Sequence, residues 1–389
     1  MDKTMKNRIY LDHAATTPVS RTVLEAMLPF FTDCAGNASA VYGTGREARK
    51  AVEKARKQVA AAIGAEPREI LFTGGGSESD NLAIKGTAFA LKEQGRHIVT
   101  TSIEHPAVIN TCRWLEKQGF EVTYINPDRE GRIHPGLIRD AVRRDTVLIS
   151  VMAANNEIGT IEPVVEIGRI TKEYGIAFHT DAVQAAGAIP IDVNEWNTDL
   201  LSISAHKFNG PKGVGALYVR RGTRLDPLIH GGEQERGLRA GTENVAGIVG
   251  LGQAAEEATG DHLAALAACT ASLRDRLTAG ILSAVPDAWL NGPEKGRLPN
   301  NCSIRFAGID GEALLLRLDL AGIAASAGSA CTAGSQEISH VLRAIGLSEE
   351  EAKGSLRLTV GPDNTREEID EAAGIISGIV ADLRSMFRG

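Results

Sequence analysis

Lys207 closes the stretch Ser204-Ala205-His206-Lys207, which follows directly on the apolar run Leu200 to Ser204. By default an amine in that position is a solvated charge. Here Ser204 and His206 add two side-chain donors suited to a phosphate. A second cradle is Gly74-Gly75-Gly76-Ser77, a glycine-rich turn between a strand-like run and a helical pattern. Free backbone N–H groups and the helix dipole favour an anion at such a turn. Taken alone, it reads equally well as a tight bend. No Gly-Lys-Ser/Thr follows it and the GxGxxG spacing is missing, which removes most of the weight from ATP and NAD. Asp181 follows another strand-like run. An amine, a phosphate cradle and a carboxylate at one end of a sheet meet the needs of pyridoxal 5'-phosphate: the amine forms a Schiff base and the carboxylate pairs with the ring nitrogen. His105 can shuttle protons near neutrality. A lone histidine there would be read as structural, and its company favours chemistry.

Cys331 lies among small residues, with Ala327-Gly328-Ser329-Ala330 before it and Ala333-Gly334-Ser335 after it. Such a stretch packs little and bends easily, which predicts a mobile loop. A buried, inert cysteine would have apolar bulk around it. The loop suits a thiolate that approaches a substrate atom and then carries a product outward. Cys34, Cys112, Cys269 and Cys302 have no comparable setting and are read as packing residues.

These residues need a scaffold that brings strand ends together. Strand-like runs occur at Ile70 to Thr73, Ile98 to Thr101, Val122 to Ile125, Val147 to Met152, Ala177 to Thr180, Leu200 to Ser204 and Val214 to Val219. Between most of them lie helix-length segments such as Glu166 to Tyr174. Another, Glu47 to Ile63, carries apolar residues at helical spacing. This alternation predicts an α/β fold with a mostly parallel sheet covered on both faces. In such sheets ligands collect at the carboxyl ends of the strands, where Glu104-His105, Asn155-Asn156-Glu157, Asp181, Gln184 and Lys207 all fall. After about residue 255 the rhythm changes to a long Ala- and Leu-rich helical stretch reaching Val285. Strand candidates Asn301 to Phe306 and Ser355 to Val360 follow, a smaller α+β unit. The expected division is 16–255 for a large cofactor-binding domain, with 1–15 and 256–389 forming a small domain that carries the Cys331 loop.

With 389 residues, 43% of them hydrophobic, the chain can build two domain cores. Its net charge of −7, with basic residues scattered among acids, argues against nucleic acid as a main partner. No apolar run reaches membrane-spanning length and the first residues lack a signal-peptide core, so a cytoplasmic protein with no membrane contact is expected. Five widely spaced cysteines without CxxC pairs predict neither a disulfide framework nor a structural metal.

Six motifs, in this order, resemble the NifS/IscS-type cysteine desulfurases. They are Tyr10-Leu11-Asp12-His13-Ala14-Ala15-Thr16-Thr17-Pro18, Asn155-Asn156-Glu157-Ile158-Gly159, His179-Thr180-Asp181-Ala182-Val183-Gln184, His206-Lys207, Arg239-Ala240-Gly241-Thr242-Glu243-Asn244 and Ser326-Ala327-Gly328-Ser329-Ala330-Cys331. The resemblance runs from about residue 9 to residue 385. It implies a fold type I pyridoxal-phosphate enzyme of the class V aminotransferase group, a homodimer with a seven-stranded large domain. It makes Lys207 the Schiff-base lysine, His105 the ring-stacking acid/base and Asp181 the partner of the ring nitrogen, with Gln184 on the phenolic oxygen. Gly76, Ser77, Ser204 and His206 are implied to hold the phosphate, with Thr242 of the other subunit. Asn156 and Arg357 are implied to hold the substrate carboxylate, a task suited to the planar guanidinium fork. Without the resemblance, Arg357 reads as an exposed strand residue.

The implied activity converts L-cysteine to L-alanine, with sulfur passing to Cys331 as a persulfide for an iron–sulfur scaffold or another sulfur acceptor. Selenocysteine lyase is the nearest alternative. The chain departs from the family at Asn37-Ala38-Ser39-Ala40-Val41-Tyr42, where Asn-Pro-Ser-Ser and a histidine are usual. It departs again at Gly361-Pro362-Asp363, where Gly-Arg is usual.

Overall fold

The computed structural model describes residues 8–327 and 338–386. After a two-residue strand β1 (Ile9–Tyr10), the chain builds β2 (Ile70–Thr73), β3 (His97–Thr101), β4 (Glu121–Ile125), β5 (Thr146–Ser150), β6 (Ala177–Asp181), β7 (Leu200–Ser204) and β8 (Gly215–Val219). These seven strands form one sheet in the order β2-β8-β7-β6-β5-β3-β4. β8 runs antiparallel to both its neighbours, and the other pairings are parallel. β3, β5 and β7 are buried along their whole length. That is why they read as unbroken apolar or Ser/Thr-containing runs, as strands covered on both faces do. The fold class is therefore the expected one: α/β, with a mostly parallel seven-stranded sheet.

Local chemistry sets the covering helices. The Gly43–Ala62 helix buries Ala48, Val52, Ala55 and Val59 along one stripe. The Val164–Tyr174 helix stops at Gly175, whose φ of 68° is the left-handed conformation that returns its N–H to the last helical turn. The Ala- and Leu-rich stretch is the Gly260–Ala284 helix, and a separate helix, Val245–Glu257, precedes it. Their break falls at Gly260, with φ of 56°, and it separates two cores. Ile248, Leu251, Ala254 and Ala255 join the core of the seven-stranded layer. Leu273, Leu277 and Ile281 join a second core.

The second core is organised by β9 (Ala288–Leu290), β10 (Asn301–Phe306), β11 (Ile323–Ala324), β12 (Ser326–Ala327) and β13 (Ser355–Thr359). An antiparallel sheet β12-β13-β10-β9 packs against the Gly260–Ala284 and Arg366–Met386 helices. The N-terminal segment joins it, because β1 pairs with β11 and both Ile9 and Leu11 are buried in this core. Val341, Leu342, Ile345 and Ala352, by contrast, pack into the core of the large sheet. Two short helices from the last third of the chain thus lie against the first layer. Among the described residues no helix is long and apolar enough to cross a membrane.

Candidate active site

Lys207 ends a single 3-10 turn, Ala205–Lys207, that continues β7. Its Nζ donates to the carbonyls of Ala14 and Ala15 at 2.5 and 2.8 Å, and the Gln184 amide donates to the same Ala14 carbonyl at 3.0 Å. The N-terminal segment is held over the site from the other side too. Thr17 donates its backbone N–H to the His206 carbonyl at 2.8 Å, and His206 Nδ1 and Thr16 Oγ1 share a 3.1 Å hydrogen bond. Burial, helped by the Arg357 charge, pulls the Lys207 amine down to about 8, although Asp181 and Asp12 pull the other way. Burial lowers His206 to about 4, so the ring is neutral.

Asp181 is the last residue of β6 and is buried, its carboxylate accepting the Val183 N–H at 2.9 Å. Burial raises its proton affinity, while His105 and Lys207 oppose the rise. His105 caps the Pro106–Glu116 helix, with Nδ1 accepting the Ala107 N–H at 3.1 Å. That bond leaves its hydrogen on Nε2. Burial lowers its pKa, which favours the neutral ring. Polar atoms of Asp181, His105 and Asp80 lie within 4.8 Å of one another.

The glycine turn ends at Gly75, and the Gly76–Leu91 helix starts with no side chain capping it. A Cβ on Gly76 would sit 2.7 Å from Val183 Cγ2 and 3.5 Å from Ser204 Cβ. The close approach of Val183 leaves no room for a side chain at Gly76. Glu78 folds back to accept the Gly74 N–H at 2.8 Å and pairs with Arg239 at 2.9 Å, which fixes the turn. Ser77 faces solvent. An uncapped helix start beside a buried serine, a depressed amine and a buried carboxylate together fit pyridoxal 5'-phosphate.

Arg357, on β13, is buried. Its Nη2 donates to Asp12 at 2.9 Å and its Nη1 to the Asn156 carbonyl at 3.2 Å, while its Nε has no partner. The reading of Arg357 as an exposed strand residue is thus corrected: Asp12, 345 positions away, draws it inward. Lys207, Asp181, His105, Gln184, Ser204, His206, Gly76, Asn156 and Arg357 all gather where strand ends of the large sheet meet the second core. Thr242 is exposed in the loop before the Val245–Glu257 helix. Cys331 lies outside the described residues. Cys112 and Cys302 are buried with thiols pushed up by burial, which suits packing residues.

Several polar residues at this site have no role that the sequence alone assigns. Asp12 and Glu157 stand inside recognised motifs, and their partners, Arg357 and Ser339, are distant in the chain. Glu104 is buried, raised by burial to about 8, and accepts from Thr101 and Met152. Asp80 gave one local signal, an acid on the face of a helix that also buries Ser79, Leu82 and Ala83.

The class-V aminotransferase family matches residues 9–372. The chain belongs to that family. Class-V aminotransferases work through pyridoxal 5'-phosphate, as the donor set here fits. The protein from Dictyoglomus turgidum named cysteine desulfurase IscS is 53% identical over 382 residues, covering 98% of this chain and 97% of its own. A solved NifS-like protein has 40% identity and a TM-score of 0.91, over 97% of this chain and all of that one. The structure of SspA in complex with cysteine has 41% identity and a TM-score of 0.82, over 92% of this chain and all of that one.

Proposed function

We propose that this chain is a cysteine desulfurase that converts L-cysteine to L-alanine and stores the sulfur on Cys331 as a persulfide. The observation that carries the reading is the meeting of Lys207, Asp181 and His105 with the Arg357 fork at one end of the sheet. Pyridoxal 5'-phosphate held by Lys207 supplies an electron sink for the bond pair released at the substrate carbon. Gly76, Ser77, Ser204 and His206 of this chain would hold its phosphate, with Thr242 contributed by a second copy. Asp181 would pair with the ring nitrogen of the bound cofactor and Gln184 would donate to its phenolic oxygen. Arg357 and Asn156 orient the substrate carboxylate; Asp12 and the Asn156 carbonyl set the plane of the guanidinium before substrate arrives.

Lys207 and His105 move protons at the substrate carbon and at its sulfur. The Cys331 thiolate attacks that sulfur: the S–S bond forms, the C–S bond breaks, and the released pair goes to the carbon that becomes the alanine methyl. The products are alanine and the Cys331 persulfide, with no external oxidant. The working unit is a cytoplasmic homodimer with domains 16–255 and 1–15 plus 256–389, and its acceptor is an iron–sulfur scaffold or another sulfur-carrying protein.

The test is to supply L-cysteine to the cofactor-loaded protein and quantify alanine, sulfide and protein persulfide together. Alanine and Cys331 persulfide in equal amounts are expected in a single turnover. Cys331→Ala should keep the cofactor but form no persulfide and almost no alanine from cysteine, while still releasing alanine from selenocysteine. Near wild-type desulfuration by this variant would replace the reading with a direct lyase.

A further inference from the structure

Asp80 sits one helical turn into the Gly76–Leu91 helix, 1% exposed, behind Asp181. Its surroundings hold acids and neutral groups. Asp181 and His105 each bring a polar atom within 4.8 Å, and Glu104 acts on it through space from beyond the end of β3. From β6, His179 brings Nε2 to 3.6 Å. That ring is wedged between Ser150 at 2.8 Å and Ser202 at 3.0 Å, and burial lowers it to about 3, so it brings no charge. The Ser202 hydroxyl of β7 offers partial help, and Asp80 Oδ1 has no hydrogen-bond partner at all. Asp181, by contrast, has the Val183 N–H and the fields of His105 and Lys207.

Two buried carboxyls this close do not both ionise, and the better-supported one keeps the charge. We propose that Asp80 and Asp181 form a carboxyl pair holding one proton, which resides on Asp80, so that Asp80 is a positioning residue keeping Asp181 anionic toward the ring nitrogen. The proposal rests on the reading of Asp181 as the ring-nitrogen partner. Burial and then the Asp181 charge raise Asp80 well above the ordinary range, in keeping with this assignment. The pair titrates as a unit, so the measurement must name the residue that carries the proton.

Infrared difference spectroscopy on the full-length protein, with aspartate carboxyl carbons isotopically labelled to separate them from Glu104 and Glu157, reads this directly. At neutral pH one protonated aspartate band is expected with and without cofactor, and Asp80→Asn should remove it. Asparagine is a neutral isostere of the protonated acid. The visible absorbance of the cofactor and its pH titration should therefore stay within about 0.3 pH unit of wild type in Asp80→Asn. In Asp181→Asn the band should remain but titrate away at least about one pH unit lower, because the repelling charge is gone. A band lost in Asp181→Asn in place of Asp80→Asn, no band, or an unshifted titration in Asp181→Asn overturns the proposal. If Asp80→Asn does not fold, the Asp181→Asn titration decides alone. Should Asp181→Asn leave the cofactor absorbance unaltered, the reading of Asp181 fails, while the band still shows whether the pair holds its proton on Asp80.

Discussion

An amine must be neutral to condense with an aldehyde, so the protonation of Lys207 sets how fast this protein captures its cofactor. At the ordinary value of 10.5, about one lysine in 3,000 is neutral at pH 7; at about 8, roughly one in ten is. The site therefore gains about 300-fold in reactive amine. Burial is the largest cause and the Arg357 charge the second. Arg357→Leu removes that cation, and each pH unit by which Lys207 then rises lowers the neutral fraction about tenfold. Asp181→Asn should act the other way, because Asp181 raises the amine. The assay is trace acylation of apoprotein lysines across pH, with the label on the Lys207 peptide quantified by mass spectrometry. Half-maximal labelling is expected near pH 8 in the wild type and at higher pH in Arg357→Leu. The same shift has a signature in stability: the unfolded chain binds one more proton than the folded one between about pH 8 and 10.5, so apoprotein stability rises with pH across that window and Lys207→Met removes the rise. Half-maximal labelling above pH 10, or an Arg357→Leu profile displaced to lower pH, would refute the reasoning.

Arg56 and Glu235 form a buried two-pronged pair, both bonds 2.8 Å, and Glu235 also accepts the Phe72 N–H. Glu235→Ala leaves the buried Arg56 with only the half-exposed Glu53 as carboxylate partner and is expected to cost about 3–5 kcal/mol in urea unfolding, and a loss below about 1 kcal/mol would contradict that. Gly76→Ala forces a Cβ against Val183 and is expected to weaken cofactor affinity about tenfold or more, read by titration of cofactor into apoprotein; an unchanged affinity would mean the helix start does not close on the phosphate. Dilution below the dimer dissociation constant should release cofactor and activity together if Thr242 completes the neighbouring site. A monomer in sedimentation that retains both would refute the shared site.

Much of the scaffold was decided by short-range chemistry and is therefore legible in the chain. Ile70–Thr73 and Leu200–Ser204 coincide with the strand-like runs read from the sequence, because a strand covered on both faces is mostly apolar along its length. The same logic placed Asp181 and Lys207 at strand ends without any knowledge of their neighbours. Tertiary structure alone decided what depends on residues far apart in the chain. The pairing of β8 with β2, about 145 positions earlier by their numbering, is one such contact. Asp12 and Arg357 meet across 345 positions, and that contact turns a strand arginine inward. Asp80 acquires its setting only when the helix docks it against β6 and β7. A charge's solvation and its partners are properties of the assembled site, whereas a residue's strand or helix pattern is a property of its neighbours in the chain.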